Sequence, residues 1–110
     1  MAKEWYSVKG LFRWYMKVDG STDQFEERVV LFEAESFAEA LDLAEAEAKS
    51  YCQPDEQANF CIEPVGWWRA YWIGEMPASG VEVFSRGAKT SLSSKSFVQR
   101  YYPGSHNAGT

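Results

Sequence analysis

Histidine is nearly absent from this sequence: His106 is the only one in 110 residues, and it sits in the Gly/Asn-rich end "GSHNAGT". A residue in such an end is not held at hydrogen-bond distance from a nucleophile, which argues against Ser-His and Cys-His chemistry. Cysteine is scarce too. Cys52 and Cys61 are the only two; they form no C-x-x-C pair, and with one distant histidine they make no zinc ligand set. No stretch approaches the roughly 18 uninterrupted apolar residues of a membrane span, and "MAKEWYSVKG" lacks the apolar core and cleavage site of a secretory signal. The reading is a cytoplasmic protein with no membrane contact and two reduced thiols. "SRGAKTSLSSK" lacks the paired glycines and the Gly-Lys-Ser/Thr ending of a phosphate loop. Neighbouring acids such as Glu26 and Glu27 fall on opposite faces of a strand, so they make no acid/base dyad. No catalytic residue, metal or cofactor is therefore expected, and the chain is read as a non-enzyme.

Aromatics are what the sequence has in excess, at 16% with five tryptophans. The 45% hydrophobic and 25% charged content is that of an ordinary globular domain. Charge is unevenly placed. Residues 22–56 hold eleven acids against Arg28 and Lys49, whereas no acid follows Glu82 and the end carries Arg86, Lys89, Lys95 and Arg100. The net charge is −5.

Period-two alternation in "WYSVKGLFRWYMKV" puts Tyr6, Val8, Phe12, Trp14, Met16 and Val18 on one face of a strand. "DGSTD" is turn chemistry, and "FEERVVLFEAE" is the return strand. From Ser36 the period becomes helical, with Phe37, Ala40, Leu41, Ala44, Ala48 and Tyr51 on one side. Ser36 and Glu39 form a capping box, and Pro54 stops the helix. β character resumes at "ANFCIE", bends at Pro64 and Gly66, and continues in "WWRAYWIGE". "VEVFSR" reads as a fourth strand and "LSSKSFVQRYYP" as a short terminal helix capped by Ser93 or Ser94. The expectation is one α+β domain over residues 1–103, with a disordered tail at 104–110. Its layout is a β-β-α-β-β antiparallel sheet with one main amphipathic helix packed on one face and a short C-terminal helix.

Three segments, "WYSVKGLFR" at 5–13, "FEERVVLFEAESFAEALDLAEAEA" at 25–48 and "GVEVFSR" at 80–86, resemble a bacterial family of uncharacterised small proteins, the domain-of-unknown-function family 4288. The resemblance spans about residues 5–86 and implies a small α+β domain. It carries no catalytic residues across.

The dense stretch "VGWWRAYWIGEM" splits by parity. Trp68, Ala70 and Trp72 form an uncharged set suited to the core, while Trp67, Arg69 and Tyr71 take the opposite, outer face. There they are expected to lie across from Trp5, Arg13 and Tyr15 if the first and third strands are neighbours. These six residues are the candidate partner-binding set, since Trp, Tyr and Arg dominate interface hot spots. One helix does not cover a long sheet, so the outer face needs another cover: the terminal segment, a second copy, or a foreign partner. The first functional expectation is a protein-binding module of immunity or inhibitor type that occludes a partner's surface, with a homodimer as the self-associating version. The alternative is a single-stranded nucleic-acid platform built on the same aromatic and basic face, which the acidic net charge opposes.

Overall fold

Alternation and turn chemistry produce a long hairpin of β1 (Glu4–Met16) and β2 (Thr22–Ala34) in the computed structural model, which describes residues 2–104. The hairpin closes where Gly20 takes a positive φ of 73° and its amide reaches the Met16 carbonyl at 2.8 Å. Asp19 accepts from the Ser21 amide and hydroxyl, and these bonds to its charged form hold its carboxyl below the usual range. Val18, placed inward by parity, is 87% exposed, because β1 ends at Met16 and Val18 belongs to the turn.

Half of the capping box forms as expected, with the Ser36 hydroxyl accepting from the Glu39 amide at 3.1 Å, whereas the Glu39 carboxylate accepts from the Glu35 amide, one residue before the cap, at 3.0 Å. Helix α1 (Phe37–Tyr51) follows and ends three residues before Pro54. Its buried residues, Ala40, Ala44 and Ala48, repeat every four positions. Their small side chains let the helix backbone approach the sheet closely. It packs on all three strands of a sheet ordered β2-β1-β3, where β3 (Phe60–Trp72) runs antiparallel to β1. Tyr6, Val8, Ala34, Ala40 and Ala44 form the core, with Phe32, Leu41, Trp68 and Ala70 against it.

Three strands replace the four expected. "VEVFSR" is extended but joins no ladder; it crosses the outer face of the sheet instead. Pro64 and Gly66 do not end β3. They form an irregularity in which Leu11 alone lies between the pairs Gly10↔Trp68 and Phe12↔Pro64, and Gly66 takes φ 90°. The terminal helix is α2 (Ser94–Tyr101), with the Ser93 hydroxyl accepting from the Ser96 amide. It packs against no other helix or strand. The expected tail lies, beyond Gly104, outside the described residues, as does His106.

A polar network ties the far end of α1 to the hairpin. Arg28 donates to both oxygens of Glu47 at 2.9 Å and stacks over Tyr51 at 3.5 Å. Tyr51 in turn donates to Glu26 at 2.7 Å, which also accepts from the Trp14 indole at 3.1 Å. Burial, then the bond to Glu26 and its charge, push the Tyr51 phenol up to about 12 from an ordinary value of 10.0. The folded state therefore prefers the protonated phenol. This stabilisation is fully present below pH 10 and is lost as pH rises towards 12. Ultraviolet titration should show one tyrosine ionising near pH 12, and Tyr51→Phe should remove that step and flatten the stability loss in the same window.

Candidate protein-binding face

Register fixes which side chains share the outer face. On β1 these are Trp5, Ser7, Lys9, Leu11, Arg13 and Tyr15; opposite them on β2 stand Glu33, Leu31, Val29, Glu27 and Phe25. On β3 the same face carries Tyr71 beside Ser7, Arg69 beside Lys9, Glu63 beside Arg13 and Cys61 beside Tyr15. Trp67 joins them by alternation, with the Arg69 guanidinium 5.6 Å from its ring. All six expected site residues thus lie on one face, and β1 and β3 are neighbours. The pairing differs from the expected one. An antiparallel register sets Arg69 against Lys9 and Arg13 against Glu63, so Trp67 and Arg69 do not meet Trp5, Arg13 or Tyr15 directly.

The side chains divide into engaged and free. Arg13 donates to Thr22 Oγ1 at 2.6 Å, to the Gly20 carbonyl at 2.5 Å and to Glu63 at 3.1 Å, and stacks over Tyr15 at 4.8 Å. It fastens the hairpin turn to β3. A hydrogen bond with Cys61 pushes the Tyr15 phenol above its ordinary value.

Tyr71 is held by the crossing segment, a strap over residues 81–86. Its phenol donates to Glu82, which raises the phenol's pKa, and its ring lies 6.0 Å from Phe84. The strap is further pinned by the Ser7 hydroxyl donating to the Val83 carbonyl and by the Lys9 ammonium 4.6 Å from the Phe84 ring. Ser7 is fully buried as a result. Sequence reasoning missed the strap because its alternation is that of a strand. Trp67 and Arg69 lie clear of these fastenings, with no partner among the described residues beyond each other.

On the helix-covered side, an open groove of about 430 Å³ runs between α1 and β3, lined by Glu45, Ala48, Lys49, Pro64, Val65, Gly66 and Trp68. The space beside Arg28 and Glu47, lined also by Phe12 and Trp68, is about 10 Å³, the room of a single water. Cys52 and Cys61 are free thiols, and burial pushes the Cys52 thiol up, which disfavours its nucleophilic form. Trp72, assigned inward, does share the face of Tyr6 but is 49% exposed, beyond the reach of α1, and donates to Glu4 at 3.2 Å. No helix among the described residues is long and apolar enough to cross a membrane.

The sheet and helix that build this face are what known sequences share with it. The family model of the domain of unknown function DUF4288 matches residues 5–68, more than half of the chain. The chain belongs to the DUF4288 family. The match takes in β1 from Trp5, β2, α1 and β3 as far as Trp68. Arg69, Tyr71, the strap and α2 fall after it, as does the 80–86 segment that the sequence resemblance included. No curated protein and no solved structure matches the chain. In this DUF4288 domain, the strap, Arg69 and Tyr71 lie beyond the residues that the family model matches.

Proposed function

We propose that this chain is a non-enzymatic protein-binding module, of immunity or inhibitor type, acting in the cytoplasm by occluding a partner's surface with the outer sheet face. The observation that carries this reading is the Trp67–Arg69 pair. A half-buried indole and an exposed guanidinium stand together on an edge strand, 5.6 Å apart and bonded to nothing else among the described residues. Such a pair supplies large area and directed donors to a partner at little ordering cost. The strap restricts this contact surface to the β3 side.

The nucleic-acid reading draws less from the geometry. Two of its three platform cations, Lys9 and Arg13, are already paired with Glu27 and Glu63, leaving Arg69 for phosphate. The test is affinity capture from the native host on immobilised wild-type chain and on Trp67→Ala and Arg69→Ala variants. A specific protein should be retained by the wild type, and each variant should weaken its binding by about 2 kcal/mol with an unchanged melting temperature. Equal retention by all three overturns the reading.

A further inference from the structure

Residues 86–102, the segment after the strap, form a hook around an open groove of about 400 Å³, where Ala88, Leu92, Phe97 and Val98 stand beside Thr90 and Ser94. Every lining residue belongs to the hook itself. An eight-residue helix is not stable on its own and normally depends on burying its apolar side. In α2 that side is open, with Val98 48% and Tyr101 55% exposed. The hook is also uniformly basic. Arg86, Lys89, Lys95 and Arg100 have no ion-pair partner among the described residues.

The complementary surface is on the same chain. Phe25 is the most exposed aromatic ring among the described residues, at 66%, and it sits on the outer face of the edge strand β2 between Asp23 and Glu27. Acids along β2 argue against its pairing with itself: setting Phe25 against Leu31 of a second strand would set Asp23 against Glu33. The chain's own hook does not hold its own Phe25. Its Tyr101 and Tyr102 border a separate space of about 300 Å³ together with Lys9, Glu27, Phe84 and Arg86, and no sheet residue lines the Leu92–Val98 groove.

We infer that the hook of one copy receives Phe25 of a second copy, with its unpaired Lys89 and Lys95 drawn to Asp23 on the acidic edge strand, in a reciprocal two-fold dimer. Each copy offers one groove and one ring, so a closed pair fills both. The inference is independent of the partner-binding reading, which uses Trp67 and Arg69 on the opposite edge strand.

The test is sedimentation of the full chain over an approximately hundredfold dilution series at low and high salt. Wild type should pass from dimer to monomer on dilution, and earlier at high salt. Phe25→Ser, which lacks the ring, and Leu92→Ser/Val98→Ser, which lacks the groove, should each raise the dissociation constant at least about tenfold. An equimolar mixture of the two variants should associate more than either alone, because one intact groove and one intact ring remain in the mixed pair. Circular dichroism melts matching wild type confirm that these exposed substitutions leave the fold intact. A wild type that stays monomeric throughout overturns the inference, as does a dimer that either variant leaves unaffected or a mixture that gains nothing.

Discussion

Phe12→Ala should cost about 3–5 kcal/mol of folding free energy, enough to leave the domain partly unfolded near 37 °C, since domains of this size hold only about 5–15 kcal/mol in all. Phe12 is 1% exposed and is the largest fully buried side chain among the described residues. Its ring meets Tyr51 edge-on at 5.3 Å and Trp68 at 6.0 Å, with the Arg28 guanidinium 5.4 Å away. Removing it opens a void between α1, β1 and β3 that none of these neighbours is free to fill, because Tyr51 and Arg28 are held by Glu26 and Glu47. Urea denaturation followed by tryptophan fluorescence measures the loss. A midpoint close to wild type would show that Trp68 collapses into the space.

Gly10→Val should be almost as damaging, for the opposite reason. A Cβ at Gly10 would stand 2.5 Å from Cζ3 and 2.8 Å from Cε3 of Trp68, and 3.2 Å from Cε1 of Phe12. Gly10 lies mid-strand, where valine is otherwise favoured, so a loss of about 3 kcal/mol would report overpacking, chiefly against the indole and secondarily against the Phe12 ring. Coupling isolates the cause. In a Trp68→Leu background the Gly10→Val change should cost much less than in wild type, the non-additivity expected of touching residues. Additive losses would place the strain elsewhere.

Local pattern was enough to read the hairpin, α1 and the opposite senses of Trp67 and Trp68, because alternation, capping and turn residues act over a few positions. What it did not contain was pairing between distant segments. The strap illustrates this: Val81, Val83 and Phe84 carry a strand's composition, yet the bonds that hold it run from the Ser7, Lys9 and Tyr71 side chains rather than from a neighbouring backbone. Trp72 illustrates the second limit. Fifteen helical residues reach about 22 Å and thirteen strand residues about 43 Å, so a residue of the right parity at the sheet's end still meets water. The antiparallel register, which already sets Tyr71 beside Ser7 and Arg69 beside Lys9 ahead of the irregularity at Pro64–Gly66, is why the six candidate residues share a face without facing one another as expected.

The place of β1 in the middle of the sheet also sets the order in which the chain meets its own entropy. Its pairing with β2 closes through a tight turn, whereas its pairing with β3 joins Met16 to Phe60 at one end and Tyr6 to Trp72 at the other. The larger share of the loop-closure cost falls on that second ladder, and the helix lies within the loop being closed. The hairpin and α1 rest on local contacts, whereas β3 adds the long-range ones by carrying Trp68 onto Gly10 and Phe12, so its docking is the step expected to set the folding rate. In synthesis from the N-terminus, the inner face of β1, with Tyr6, Val8 and Phe12, therefore precedes by more than forty residues the strand that completes its cover.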